Sequence, residues 1–153
     1  FLGTSHLAMN EQAHALKYFE EALNLDPGKE DIPSIYSYMG VCLKDLAQYK
    51  EAIKTLEKGE EHDSDRTDIH NLMGYCYFKL KEHEKAIQCF RKVLQLDPSS
   101  AIDYANIASN YRDMGDKDNA IRYYQFALAL DPSIDFAREN LDALQGKHIG
   151  VVE

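Results

Sequence analysis

The residues with the greatest capacity for chemistry form an acidic stretch, residues 60–65, near the middle of the chain. Asp63, Asp65 and Thr67 have the alternating spacing with which calcium-binding loops begin. Such a loop also needs Gly where this chain has Asp68, and a closing Glu where it has Gly74. We therefore interpret the stretch as a solvated turn between helices and predict no metal.

The histidines and cysteines show no spacing of a metal or catalytic site. The six histidines contain no HExxH motif and no pair four residues apart: His6, His14, His62, His70, His83 and His148. Cys42, Cys76 and Cys89 contain no CxxC pair, which argues against both a zinc site and a disulfide framework. Reduced thiols predict a cytoplasmic protein, and Cys42 and Cys76 are interpreted as small buried spacers. No Ser-His-Asp or Cys-His arrangement and no phosphate-binding loop is present, so we predict neither an enzyme nor a cofactor.

The composition narrows the classes of partner. The chain has 153 residues and a formal charge of −9, from 26 acidic and 17 basic residues. An acidic surface repels phosphate backbones, so no nucleic-acid partner is expected. No apolar run approaches the roughly 18 residues that span a bilayer, so no membrane insertion is expected either. The chain begins at Phe1 rather than Met, which indicates processing or a segment of a longer protein.

The elements that must position any site follow from an internal repeat with a period of 34 residues. Apolar and small residues return at positions 4, 7, 8, 11, 20, 24 and 27 of each unit, and Pro at position 32. The unit 67–100 has His70, Met73, Gly74, Tyr77, Ala86, Phe90, Val93 and Pro98 at these positions. The unit 101–134 has Tyr104, Ile107, Ala108, Tyr111, Ala120, Tyr124, Ala127 and Pro132. The unit 33–66 has Tyr36, Met39, Gly40, Leu43, Ala52 and Leu56, with Gly59 and Ser64 at the last two positions.

This pattern resembles the tetratricopeptide repeat, and the likeness extends over about 134 of the 153 residues. The resemblance implies an all-α, right-handed α-solenoid of helix-turn-helix repeats. Two stripes of helical spacing in each unit independently predict two amphipathic helices. Small residues at positions 8 and 20 allow the two helix backbones to approach closely, and Asp-Pro pairs mark the ends of units.

The prediction for the whole chain is a single domain, residues 1–146. A truncated first repeat covers 1–29 and, after three extra residues, the units 33–66, 67–100 and 101–134 follow. Residues 135–146 are predicted to form a C-terminal capping helix with Phe136, Leu141 and Leu144 facing inward, because an end repeat needs a cover. Residues 147–153 are predicted to be a loose tail.

Stacked repeats of this kind form a concave groove, which we expect to be lined by positions 2, 5, 6, 9, 12 and 13 of each first helix. These positions include Ser34, Ser37, Val41, Asp68 and Ile102. From them we select as candidate peptide-binding residues Tyr38, Lys44, Asn71, Leu72, Tyr75, Phe78, Lys79, Asn106, Ser109 and Arg112. The aromatic residues have no packing role in the repeat pattern, Asn side chains donate to and accept from a peptide backbone, and the cations pair with carboxylates. The sequence leaves open that individual aromatic residues pack against adjacent repeats.

One branch of the family holds the carboxylate-ending tails of chaperones with basic residues and Asn at fixed positions. The equivalent residues here, such as Ser37, Val41 and Leu72, include no base. We therefore predict no such carboxylate clamp. A ladder of Asn residues, as in a second branch, is represented at position 6 by Asn106 alone.

The predicted function is a protein-interaction module, or scaffold, that binds a peptide segment of a partner protein. Two alternatives stay open. The chain is a structural scaffold that forms homo-oligomers through its uncovered N-terminal end, where Phe1 and Leu2 lie, or it is the substrate-docking arm of a larger enzyme.

Overall fold

The computed structural model describes residues 2–146, with side chains from Ala8 onward. This range contains eight α-helices and no strand, which confirms the all-α helical-repeat class. The helices are α1 (Leu2–Asn24), α2 (Ile32–Asp45), α3 (Tyr49–His62), α4 (Thr67–Lys79), α5 (His83–Leu96), α6 (Ala101–Asp113), α7 (Lys117–Leu130) and α8 (Asp135–Leu144). The units predicted at 33–66, 67–100 and 101–134 each contain two of them. No helix within the described range has the length and apolar character that crossing a bilayer requires.

The first repeat differs from the prediction. A truncated hairpin of two helices was expected, whereas α1 continues from Leu2 to Asn24 without a turn. Met9 and Asn10 occupy the place where the other repeats turn. A turn is favoured only when a full first helix packs back on the second, whereas continuing the helix adds one backbone hydrogen bond per residue. The predicted assembly surface at Phe1 and Leu2 and the predicted tail at 147–153 lie outside the residues whose side chains are described.

The turn inside each full repeat depends on one residue in the left-handed backbone region. Ala47, Lys81 and Gly115 have φ values of 57°, 62° and 84°. At these turns the backbone N–H of Gln48 donates to Leu43 (2.8 Å), and that of Asp116 donates to Tyr111 (2.9 Å). These bonds satisfy carbonyl groups at the helix end that have no partner within the helix. The turn geometry is thus the same whether or not the residue is Gly.

Turns between repeats are made by an Asp side chain rather than by the following Pro. Asp97 and Asp131 each accept hydrogen bonds from the backbone N–H and hydroxyl of the serine two residues later, at 2.6–3.2 Å. Asp63, where no Pro follows, accepts from the N–H of Asp65 at 3.1 Å in the same way. Asp favours such turns because its short side chain reaches the backbone two residues on. The acidic stretch at 60–65 therefore has a structural use in ending α3.

The helices form two compact units, and the division falls between Lys81 and Glu82, so the repeat 67–100 contributes α4 to one unit and α5 to the other. In the first unit, α2 and α3 pack closely because Gly40 has no side chain. A Cβ atom at Gly40 would lie 2.7 Å from Cγ of Leu56, which is fully buried. This contact confirms that a small residue at position 8 sets the distance between the two helices.

One core cluster of the second unit is built from small residues around a single buried ring. Tyr124 has no exposed area, and the residues buried with it are Ala105, Ala108, Ala120, Ala127 and Ala137. Helix α8 covers this core as predicted, with Phe136, Leu141 and Leu144 partly buried against it. Gly146, with φ of 75°, follows the end of α8.

Candidate peptide-binding surface

The most distinctive group of predicted residues in the first unit surrounds Tyr75 of α4. The ring of Tyr75 keeps 38% of its side-chain surface exposed. The Nζ atom of Lys44, from α2, lies 5.4 Å from the ring centroid, and the Nζ atom of Lys79, from α4, lies 5.5 Å from it. An ammonium group this close to an aromatic ring is attracted by the negative ring face, by about 0.5–1 kcal/mol at exposed sites. We call Lys44, Tyr75 and Lys79 the Tyr75 cluster.

Residues of α1, α2 and α3 support the Tyr75 cluster. Tyr49, at the start of α3, meets the Tyr75 ring edge-on with centroids 6.3 Å apart. Asp45 pairs with Lys44 at 3.5 Å, and Gln12 of α1 donates from Nε2 to the carboxylate of Asp45 at 3.1 Å. Sequence reasoning missed Tyr49, because it considered only the first helix of each repeat.

Tyr38 is a second exposed ring among the predicted residues of the first unit. It is 56% exposed and stacks on Phe19 of α1, with centroids 5.4 Å apart and planes inclined by 19°. The ring is therefore held by packing on one face and left open elsewhere. The sequence left open that each aromatic residue packs against a neighbouring repeat. For Tyr38, only part of the ring packs in this way.

Ser34 and Ser37, at positions 2 and 5 of the repeat 33–66, bond to residues at the start of α4 instead of lining an open surface. Ser37 is buried, and its hydroxyl donates to Oδ2 of Asp68 at 2.8 Å. Arg66 donates to both carboxylate oxygens of Asp68 (3.0 and 2.8 Å) and to the hydroxyl of Ser34 (2.7 Å). The prediction that Ser37 faces the groove was wrong, because this face of α2 packs on α4.

The charges of this network stabilise each other. Burial tends to raise the pKa of Asp68, but the hydrogen bonds from Arg66 and Ser37 outweigh it and hold that pKa below its ordinary value. The hydrogen bond to Asp68 likewise raises the pKa of Arg66. Both groups are therefore charged near neutral pH, and together they fix the spacing of α2 and α4.

The remaining candidates of the first unit lie on α4. Asn71, Leu72 and Phe78 are half-buried, and Asn71 and Phe78 already interact with other residues of the chain. The structure thus brings Tyr38, the Tyr75 cluster and parts of these three side chains to the surface of one compact unit.

The candidates of the second unit are less accessible. The hydroxyl groups of Ser109 and Tyr124 share a 2.7 Å hydrogen bond, and Ser109 is buried. Arg112 donates from Nε to Asp113 at 2.9 Å and from Nη1 to the Tyr124 hydroxyl at 3.5 Å. Asn106 is half-buried. Ser109, predicted as a peptide-binding residue, is buried because position 9 here faces a tyrosine at position 24 of the same repeat.

The Tyr124 hydroxyl is a structural group. Burial raises its pKa, partly offset by the hydrogen bond with Ser109 and the charge of Arg112. Desolvation lowers the pKa of Arg112, but its hydrogen bond to Asp113 outweighs this and the pKa is raised. These groups therefore remain a neutral phenol and a cation at all ordinary pH values.

A second aromatic surface, which the sequence analysis did not select, lies on α6 and α7. Tyr111 and Tyr123 stack with centroids 5.5 Å apart, and Phe126 meets Tyr123 edge-on at 6.1 Å and is 50% exposed. Arg91 of α5 donates to the Tyr111 hydroxyl at 2.8 Å, and its pKa is raised chiefly by a hydrogen bond with Tyr123. The sequence signal for this surface was that Tyr123 and Phe126 lie at positions outside the packing stripes of the repeat.

The thiols and the acidic groups form no site for a metal in the part of the chain that the structure describes, where no cluster of three or more suitable ligands occurs. Cys42 and Cys76 are both buried. Burial raises the pKa of Cys76 to about 11 and also raises that of Cys42. Both are therefore protonated, unreactive thiols near neutral pH, as expected of small buried spacers.

Comparison with known families decides the identity of the fold. Family models described as tetratricopeptide repeat match residues 6–74, 67–100 and 104–134. The chain belongs to the tetratricopeptide-repeat family. No curated protein sequence matches this tetratricopeptide-repeat chain.

Solved structures of other tetratricopeptide-repeat proteins share the fold at low sequence identity. The structure of MamA has 20% identity and a TM-score of 0.81, covering 90% of this chain and 78% of that one. YrrB, described as a tetratricopeptide-repeat protein with an unusual peptide-binding site, has 21% identity and a TM-score of 0.77, covering 88% and 68%. The first repeat domain of Spaghetti (RPAP3), bound to the HSP90 peptide SRMEEVD, has 20% identity and a TM-score of 0.72, covering 76% and 92%.

Proposed function

We propose that this protein is a protein-interaction module, and that its first unit binds a peptide segment of a partner protein across Tyr38 and the Tyr75 cluster. The observation that carries the proposal is the pair of exposed tyrosine rings. Each is held by an aromatic neighbour, Phe19 below Tyr38 and Tyr49 beside Tyr75, yet keeps 56% and 38% of its surface in solvent.

Rings held in this way suit recognition. A tyrosine whose rotamer is already fixed loses little conformational entropy on binding, and it presents both an apolar face and a hydroxyl. Aromatic residues of this type dominate the binding energy of many interfaces. The half-buried Asn71 and Leu72 of α4 add polar and apolar contacts for a segment that lies along this surface.

Family relatives support the proposal. YrrB is described as having a peptide-binding site, and the RPAP3 domain was solved with a bound peptide. These proteins share the fold with the present chain at 20–21% identity, so they support the class of function and not a particular ligand.

Binding to an array of short disordered peptides, acetylated and amidated at their ends, tests the proposal. We expect the parent chain to bind a subset of them and a Tyr38→Ala/Tyr75→Ala double variant to bind that subset roughly tenfold or more weakly. Phe126→Ala is the matched control, because it removes an exposed ring (50%) from the other unit. Circular dichroism checks that all variants keep their helix content. Equal binding by parent and double variant would exclude this surface, and no binding by the parent would exclude the proposed function.

Self-assembly through the N-terminal end is a separate proposal. Sedimentation velocity over a range of concentrations measures it directly, and a strictly monomeric parent chain would exclude it.

A further inference from the structure

We infer that the Tyr75 cluster is a subsite for an acidic side chain, Asp or Glu, within the bound segment. The inference rests on the proposed function, because it assigns a chemical class to one contact of the same surface.

The Tyr75 cluster has an excess of positive charge. Two ammonium groups approach one ring, at 5.4 and 5.5 Å from its centroid. One carboxylate, Asp45, lies beside Lys44 at 3.5 Å and already accepts a hydrogen bond from Gln12. Among residues 8–146, whose side chains are described, Lys79 is in no ion pair. The cluster therefore carries one positive charge more than its surroundings neutralise, in a chain whose total charge is −9.

The contact with the ring leaves part of this positive charge accessible to a ligand. The face of an aromatic ring carries partial negative charge, so each ammonium group is attracted to the Tyr75 ring. An ammonium group has three N–H donors, and the contact with the ring does not use all of them. A carboxylate that approaches beside the ring can accept from an ammonium group, whereas an approach onto the ring face is unfavourable.

A carboxylate that binds here can belong to a side chain or to the end of a peptide chain. Other members of the family bind a chain-terminal carboxylate with residues at fixed repeat positions. The residues at those positions in this chain do not suit such binding. Ser37 is buried and donates to Asp68, and Val41 and Leu72 have no polar side-chain atoms. The Tyr75 cluster, at positions 9, 12 and 13, contains none of these residues, and a side chain reaches an exposed ring without needing a chain end. The occupant is therefore an acidic side chain within the segment.

The experiment uses peptides of the array that the parent chain binds. For each, every Asp or Glu is replaced in turn by Asn or Gln, and affinities are measured by fluorescence anisotropy. At one position we expect the replacement to weaken binding to the parent roughly fivefold, the order of a partly exposed charge pair. Lys79→Gln and Lys44→Gln should reduce that difference to less than about twofold. Lys58→Gln, an exposed lysine of α3, should leave it unchanged.

The outcomes separate the inference from the proposed function. If the parent binds peptides with no sensitivity to any acidic residue, or if Lys79→Gln and Lys44→Gln keep the full sensitivity, the acidic subsite is refuted and peptide binding stands. If the parent binds no peptide, both fail. Two further measurements complete the experiment. In one, phosphoserine replaces the sensitive acidic residue; in the other, the amidated peptide is compared with the same peptide ending in a free carboxyl group. A gain from phosphoserine or from the free end that exceeds the effect of Glu would overturn the assignment to an acidic side chain.

Discussion

Replacing Asp68 by Ala tests whether hydrogen bonds between equivalent helices hold the first unit together. The carboxylate of Asp68 accepts from Ser37 (2.8 Å), from two nitrogens of Arg66 (3.0 and 2.8 Å) and from the backbone N–H of Ile69 (2.9 Å). The substitution removes all four bonds at once and leaves the buried hydroxyl of Ser37 without this acceptor.

The expected loss follows from the exposure of each group. Losing the partner of the buried Ser37 hydroxyl costs about 1–1.5 kcal/mol. The pair with Arg66 is worth less, about 0.5–1 kcal/mol, because 45% of the Asp68 side chain is exposed and water screens it. We therefore expect Asp68→Ala to lower the free energy of unfolding by about 1.5–2.5 kcal/mol at neutral pH.

The effect should depend on pH in a defined direction. The pKa of Asp68 is lowered in the folded protein, so its stabilising effect is complete above the ordinary Asp pKa and is lost as pH falls through the lowered value. Urea unfolding, followed by circular dichroism near pH 7 and near pH 3, should give a parent–variant difference that shrinks in acid. The control is Asp65→Ala, an exposed carboxylate nearby, with an expected change below about 0.5 kcal/mol. Equal changes for the two variants at neutral pH, or a difference that grows in acid, would refute the reasoning.

Three further substitutions test the packing and the turns by the same unfolding measurement. Gly40→Ala should destabilise by about 1–2 kcal/mol, because crowding against Leu56 exceeds the gain in helix propensity; a stabilised variant would contradict the close approach. Ala47→Gly should stabilise by about 0.5–1 kcal/mol, because φ of 57° is strained for Ala; a loss of stability would show that the turn is not strained. Tyr124→Phe should cost about 1–2 kcal/mol through the lost bond with Ser109, and an unchanged stability would assign the role to the ring alone.

The repeat and its helices were predictable from sequence because they depend on local patterns. Small residues at position 8 and apolar residues at helical spacing predict both the elements and their contacts, as Gly40 against Leu56 shows. The truncated first repeat was not predictable in this way. Met9 and Asn10 have residue types compatible with a turn, yet both lie inside α1, and the repeat pattern does not predict this continuation.

The candidate surface was predictable in part. The register of a helix places Tyr38 and Tyr75 outside the packing stripe, and both rings are exposed. Register alone does not show which polar positions a packed helix uses, so it did not predict that Ser37 and Ser109 are buried. The cation–π contact of Lys44 with Tyr75 depends on the relative placement of α2 and α4, which no single repeat encodes. That of Lys79 joins residues four apart on α4 and follows from helix register.

The alanine cluster around Tyr124 tolerates a different set of mutations from the larger side chains buried elsewhere in the protein. Five of its six fully buried core residues have only a methyl group to lose, so truncation there removes little volume, whereas any enlargement must push two helices apart. In the first unit, Leu56 and Ile69 are both fully buried, and large side chains of this kind can be exchanged in compensating pairs. Sequence divergence around Leu56 and Ile69 can therefore proceed by exchanging volumes, whereas the cluster around Tyr124 keeps its small residues nearly fixed.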